Sequence, residues 1–158
     1  MSWLERAGMR FASSRAGGWV YDKICRRLDK VLLPLSRGRL STGPTQTLLL
    51  RTQGARSGRS RSVPLAYVTR GDDLVLIASK GGHPQHPAWY HNLRAHPEAM
   101  VEIRGKRETV VAREAEGAER VELWRRAVEF YPGYGAYQKR AGARRIPVMV
   151  LSRIQSPR

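Results

Sequence analysis

The sequence predicts an α+β fold: a small antiparallel barrel of five or six short strands with helices packed outside it. Three observations predict this. Short apolar or alternating runs, bounded by Gly, Pro, Asp and Ser, fill residues 45–78, 99–113 and 145–154. Helical periodicity is confined to a few segments before and between them. The resulting order is helix, three strands, helix, two strands, helices and strand, which lacks the regular β-α-β alternation of a doubly wound sheet.

The first segment, residues 2–35, reads as helical. Tyr21, Ile24, Leu28, Val31 and Leu35 recur at helical spacing, while Lys23, Arg26, Arg27 and Lys30 fall largely off that stripe. Gly17-Gly18 separates an earlier short helix, and Pro34 lies near the end. Such a basic amphipathic helix either packs its stripe on the domain or sets Trp3, Trp19 and its leucines into an anionic membrane interface. Ser36–Pro44 is turn-rich and reads as a linker. The chain therefore divides into an N-terminal helical region and linker, 1–44, and a barrel domain, 45–158.

Within the barrel domain, Thr45–Thr52 carries the Leu48-Leu49-Leu50 run, and Ser62–Thr69 alternates. Gly71-Asp72-Asp73 makes a hairpin turn into Leu74–Ala78, whose unbroken apolar run predicts a strand buried on both faces. Ala88–His96 is helical, with Pro87 at its start and Pro97 just beyond its end. Ala99–Arg104 and Glu108–Arg113 are strands joined at Gly105-Lys106. Ala118–Phe130 is a helix with Val121, Trp124 and Val128 as its expected inward stripe, and a short helical piece follows over Tyr134–Ala141. Arg145–Ile154 closes the domain as a strand.

Length and composition agree with one globular domain. The chain has 158 residues, 41% hydrophobic and 27% charged, which excludes collagen-like and wholly disordered classes. The longest apolar stretches fall far short of the roughly 18–20 residues of a membrane-spanning helix. Arginines interrupt the N-terminal region too often for the apolar core of a secretory signal. Cys25 is the only cysteine, so no disulfide forms within one chain and a cysteine-based zinc site is not expected. The expected compartment is the reducing cytoplasm. The anomaly is charge: 29 basic against 13 acidic residues, a net of +16, of which the first 62 residues carry +10. A chain so charged needs an anionic partner, whether nucleic acid, an acidic lipid surface or a phosphorylated or carboxylated ligand.

Three loops have the residues to meet such a partner. In Thr52–Arg61, two glycines free the backbone for close approach, and Arg56, Ser57, Arg59 and Arg61 supply donors for a phosphate or carboxylate. No Gly-Lys-Ser/Thr end follows, so this is not a nucleoside-triphosphate loop. In Ala78–Tyr90, a buried strand ends in Ser79-Lys80-Gly81-Gly82 and runs to a helix start carrying Trp89. In Tyr131–Tyr137, Tyr131, Tyr134 and Tyr137 recur every third residue beside two glycines, a spacing that lines one side of a short element with aromatic faces and hydroxyls. His83, His86, His91 and His96 cluster in sequence, but their spacing fits no standard zinc pattern and no acidic residue lies between Asp73 and Glu98. No Gly-x-Ser-x-Gly elbow points to a serine hydrolase.

In this order and spacing, the three loops resemble the deazaflavin-dependent nitroreductase family of actinobacteria. The resemblance rests on Gly54-Ala55-Arg56-Ser57-Gly58-x-x-Arg61-x-x-Pro64, on Ala78–Gly82 followed by Pro87–Leu93, and on Tyr131–Gln138. It covers residues 45–153 and leaves the N-terminal region as the variable part. It implies a split β-barrel of about six mainly antiparallel strands, related to flavin-mononucleotide-binding oxidoreductases. It also implies the cofactor F420, an 8-hydroxy-5-deazaflavin with a phosphate and an oligoglutamate tail. Carried over by position, it implies that Arg56, Ser57 and Arg61 hold the phosphate and tail, with Lys80 and Gly81 nearby. Pro64, Tyr67, Ala78, Ser79 and Trp89 would border the deazaflavin ring and its side chain. Tyr131, Tyr134 and Tyr137 would line the acceptor side, with Tyr134 positioning or protonating the acceptor.

The implied reaction is hydride transfer from the reduced cofactor to an activated acceptor, either a quinone, a nitro-heteroaromatic or an enone-like ring, with no metal. The basic N-terminal region would suit peripheral association with a membrane holding a quinone; oligomeric state stays open. Two rival classes make different predictions. A non-catalytic F420-, flavin- or heme-binding barrel binds without turnover. A nucleic-acid-binding protein shows salt-sensitive binding to phosphate backbones, but no standard recognition motif is present.

Overall fold

The computed structural model describes residues 46–154. The expectations for residues 1–44, namely the amphipathic helix, its Gly17-Gly18 break, the linker and the setting of Cys25, lie outside the described residues.

Seven strands form one antiparallel sheet: β1 (Thr47–Gln53), β2 (Ser60–Ala66), β3 (Val68–Arg70), β4 (Asp73–Ile77), β5 (Glu98–Ile103), β6 (Lys106–Glu114) and β7 (Val148–Arg153). The helices are α1 (Ala88–Ala95), α2 (Gly117–Phe130) and α3 (Gly133–Ala141), and a 3-10 turn spans Lys80–Gly82. The strand order is β2-β1-β5-β6-β7-β4-β3. β2 and β3 lie at opposite edges yet are separated in the chain only by Tyr67. That single-residue connection forces the sheet to curl and brings its edges together at Tyr67, and with no ladder between β2 and β3 the result is a split barrel.

The sequence reads Ser62–Thr69 as one strand; the structure divides it at Tyr67. β2 pairs with β1 through Leu65↔Leu48 and Val63↔Leu50, whereas β3 pairs with β4 through Val68↔Val75. Tyr67 N–H donates to the Gln46 carbonyl at 3.1 Å, the last link to the β1 side before the chain crosses over. Pro64 is tolerated within β2 because an edge strand has one side free of ladder bonds. The β5–β6 turn is Arg104-Gly105, one residue earlier than expected, with both residues at positive φ (49° and 83°), as a two-residue hairpin demands.

Alternation assigns the two faces of the sheet. Leu48, Leu50, Leu74, Leu76, Val101 and Leu151 fill the barrel interior. Val75, Ile77, Val148 and Val150 face outward and are covered by Leu123, Ala127, Tyr131, Tyr134 and Ala141. β4 is thus buried on both faces, as its unbroken apolar run predicts. Trp89, Tyr90 and Leu93 carry α1 into the interior cluster.

The inward stripe expected for α2 is corrected. Val121 is 62% exposed; Leu123 and Ala127 are buried, with Trp124 and Val128 packed beside them. The small Ala127 contributes little to a hydrophobic pattern, yet it lets the helix approach the sheet closely. An ionic cluster fixes the start of α2: Glu119 binds Arg70 and accepts from Arg113 at 2.6 Å, and Arg70 reaches Asp73 at 2.8 Å. Ser152 of β7 completes it by donating to Asp73 at 2.7 Å.

Candidate active site

A cleft of about 1100 Å³ opens between the β1–β2 hairpin, α1, the Lys80–Gly82 turn and the tyrosines around α3. It is lined by Arg56, Ser57, Arg61, Pro64, Ser79, Lys80, Gly81, Trp89, Tyr131, Tyr134 and Tyr137, so the structure brings eleven of the sequence-predicted site residues together. Two stand apart. Ala78 is fully buried in the barrel interior, and Tyr67 packs against that interior at the sheet crossover. Neither lines the cleft: strand alternation turns Ala78 inward, and closure of the barrel takes Tyr67.

The hairpin wall is built by backbone bonds. Gly54 N–H donates to Arg59 O at 2.9 Å, and Gly58 N–H donates to Gly54 O at 2.8 Å. Gly58 has φ +64°, and a Cβ on Gly54 would lie 2.6 Å from Ser57 Oγ, so both positions favour glycine. The hairpin is tied to α1 by a residue that the sequence reading gave no role. Asn92, itself buried, accepts from Ala55 N–H at 2.9 Å and donates to Thr52 Oγ1 at 3.0 Å. The available signal was its spacing: Asn92 lies one helical turn from Trp89 and next to Leu93, an amide on the apolar side of a helix.

The second wall has a left-handed run, with φ of 48° at Lys80, 63° at Gly81 and 80° at Gly82. A Cβ on Gly82 would meet Tyr137 O at 2.6 Å, so the turn lies directly against α3. Two arginines grip this loop from behind. Arg140 Nη1 donates to Gly81 O at 2.9 Å. Arg144 donates to Ser79 O at 2.7 Å, His83 O at 2.8 Å and Ala78 O at 3.2 Å, and to His86 Nδ1 at 3.1 Å. Burial lowers the Arg144 pKa. It also lowers that of His86, with Arg144 and His91 adding to the effect, which favours the unprotonated ring that accepts from Arg144. No local pattern in the sequence marks Arg140 or Arg144, because their partners lie about 60 residues away.

The third wall is aromatic. The rings of Tyr131, Tyr134 and Tyr137 stand 5.2–6.3 Å apart in tilted and edge-on arrangements. The Tyr131 and Tyr137 hydroxyls are 3.3 Å apart. A Cβ on Gly133 would lie 2.3 Å from the Tyr131 ring, so a side chain there would displace that ring.

Charge divides the cleft. Among the described residues, Arg56, Arg61 and Lys80 form no ion pair, and no carboxylate lines the cleft. By contrast, Arg70, Arg107, Arg113, Arg125, Arg126 and Arg153 all hold carboxylate partners. Arg94, also at the cleft, is committed to Glu114 at 3.1 Å and to the Tyr90 hydroxyl at 3.0 Å. The cleft therefore combines free cations on two walls with an aromatic third wall, and has volume for a long, anionic, partly planar ligand.

Comparison with known proteins agrees with this chemistry. Residues 35–153 match the family model described as F420H(2)-dependent quinone reductase. The F420H(2)-dependent quinone reductase Rv1261c of Mycobacterium tuberculosis is 36% identical over 133 residues, which are 80% of this chain and 89% of that protein. A solved F420-H2 dependent reductase, FDR-A, is 42% identical with a TM-score of 0.62, covering 68% of this chain and 94% of its own. A second structure, described as a domain-swapped dimer, is 36% identical with a TM-score of 0.63, covering 85% and 98%. With its split-barrel fold, its cationic and aromatic cleft and a family match across three quarters of its length, this chain belongs to the F420H2-dependent quinone reductase family of oxidoreductases.

Proposed function

We propose that this chain uses reduced F420 to reduce a quinone or a nitroaromatic ring in the cleft described above. The observation that carries this reading is one cavity lined by three cations that form no ion pair among the described residues, by three tyrosines and by no carboxylate among its described lining residues. Those residues fit the cofactor. Arg56, Ser57, Arg61 and Lys80 would hold the phosphate and glutamate carboxylates through charge-assisted hydrogen bonds. Pro64, Ser79, Gly81 and Trp89 would border the ring system and exclude water from it.

When bound, reduced F420 supplies a hydride, two electrons at a time. Tyr131, Tyr134 and Tyr137 would orient the acceptor. A phenol of the Tyr131–Tyr137 pair would deliver the proton that accompanies reduction of an acceptor oxygen, and solvent would reprotonate it. An apolar quinone resides in membranes. We therefore also assign residues 1–44, basic and carrying Trp3 and Trp19, to holding the barrel at an anionic membrane surface.

The test is a fluorescence titration of oxidised F420, with FMN in parallel, followed by oxidation of reduced F420 in the presence of menadione or a nitroaromatic. Saturable F420 binding without FMN binding, together with acceptor-dependent turnover, is the expected result. Binding with no turnover on any acceptor would make the protein a carrier, and no binding at low salt would overturn the reading. Flotation with anionic vesicles tests the membrane assignment: full-length protein should float and a chain lacking residues 1–44 should not.

A further inference from the structure

We propose that Arg144, which lies behind the cleft and does not line it, is a positioning residue for cofactor binding: it orients the Ser79–Lys80 peptide so that the Lys80 N–H faces the cleft as a hydrogen-bond donor. The inference rests on the cleft being the F420 site.

Four peptide units of the loop are held from one side. Arg144 and Arg140 bind the carbonyls of Ala78, Ser79, Gly81 and His83 from the side of α3. In a trans peptide the N–H points opposite to the C=O, so the Ser79 carbonyl held by Arg144 turns the Lys80 N–H away from that arginine. Three of the four N–H positions that follow these carbonyls are accounted for. Ser79 N–H donates to Ile77 O at 2.8 Å, and Gly82 N–H donates to Ser79 O at 2.9 Å. Residue 84 is proline and has none. Only the Lys80 N–H is left without a protein acceptor among the described residues, and Ser79, Lys80 and Gly81 all line the cleft.

The arrangement has an energetic consequence. Lys80 sits at φ +48°, a conformation disfavoured for a residue with a Cβ. Arg144 stabilises it with bonds on either side of the turn. Among the described residues no carboxylate pairs with Arg144, so its charge acts on the loop carbonyls and on the His86 ring. A cation 2.7 Å from Ser79 O polarises that peptide and strengthens Lys80 N–H as a donor. Lysine cannot substitute, because one ammonium lacks the planar fork that reaches Ser79, His83, Ala78 and His86 together.

The test uses the full-length protein and its Arg144→Ala and Arg144→Lys variants. Both variants should raise the Kd for F420, Arg144→Ala by roughly 10–100-fold, a range that corresponds to losing one or two charge-assisted bonds. The kcat at saturating cofactor should stay within about threefold, because the reacting atoms are untouched. Added guanidinium ion should partly restore affinity to Arg144→Ala and not to Arg144→Lys. The exposed Arg125→Ala, a control on α2, should change neither constant.

A second readout needs no cofactor. The Lys80 amide resonance of the free protein should move in Arg144→Lys, a variant that keeps the charge and guards against a failure of Arg144→Ala to fold. Unchanged F420 affinity in a folded Arg144 variant, or an unmoved Lys80 amide, would overturn the proposal. A wild-type protein that does not bind F420 would instead overturn the cofactor reading, and the amide readout would still decide the geometry.

Discussion

Asn92 and Ala55 are 37 residues apart in sequence and joined by a 2.9 Å hydrogen bond from the Ala55 N–H to the Asn92 carboxamide. The same carboxamide donates to Thr52. One buried side chain thus ties the cationic hairpin to α1. Replacing it removes the partner of a partly buried N–H and of the buried Thr52 hydroxyl, the latter costing about 1–3 kcal/mol. Asn92→Leu should lower the melting temperature by several degrees and weaken F420 binding roughly tenfold, with a smaller effect on kcat. Calorimetry and fluorescence titration of the same sample would check both; a variant with lowered stability and wild-type affinity would show that Asn92 does not position the hairpin.

Gly133 offers a test of the opposite wall. A methyl group there would lie within 2.6 Å of two ring carbons and the hydroxyl oxygen of Tyr131. The ring must move, and with it the Tyr131–Tyr137 hydroxyl contact. Gly133→Ala should cut kcat/KM for the acceptor by roughly tenfold or more while leaving F420 affinity near wild type, since misplacement by about 1 Å is enough to cost that much. Steady-state kinetics with varied acceptor at saturating cofactor separates the two. Equal loss on both substrates would mean that the tyrosine wall and the cationic hairpin are not independent.

Much of this was legible in the sequence, for identifiable reasons. Strands declared themselves where alternation or a doubly buried run is enforced locally, as at Leu74–Ile77. The three loops were legible because glycine and arginine stand where a backbone must turn and an anion must be met. What escaped was set by tertiary demands. Nothing local distinguishes Tyr67 from its neighbours; the crossover between sheet edges occurs there because the barrel closes there. The true inward face of α2 depends on Ala127, whose value is its small size against the sheet. Asn92 and Arg144 act on backbone groups dozens of residues away, and no periodicity records such bonds.

The unpaired cations make a prediction about salt. Arg56 and Arg61 are exposed and without ion pairs among the described residues, so their charge is available to a ligand and open to screening. Arg56→Ala and Arg61→Ala should each weaken F420 binding by about tenfold at low ionic strength, the worth of one charge-assisted bond at an exposed site. Each should also flatten the dependence of log Kd on log salt. Titrations over a range of sodium chloride concentrations would show it. A wild-type affinity insensitive to salt would remove these arginines from the binding site.

Stability toward acid should depend on Glu119. Hydrogen bonds from Arg113 and Arg70 pull its pKa from 4.5 down to about 2. A carboxylate whose folded pKa is depressed contributes stability that is present above its unfolded pKa and is lost as protons bind the unfolded chain first. The loss should therefore run from about pH 4.5 down to about pH 2. Glu119 is 29% exposed on its side chain, so solvent screening reduces the contribution to about 1–2 kcal/mol. Glu119→Gln should cost that amount at pH 7 and show a smaller fall in stability than the wild type between pH 4.5 and pH 2. Urea unfolding at a series of pH values measures both. If the two proteins instead lose stability in parallel over that range, the cluster of Arg70, Arg113 and Glu119 does not anchor α2 to the sheet.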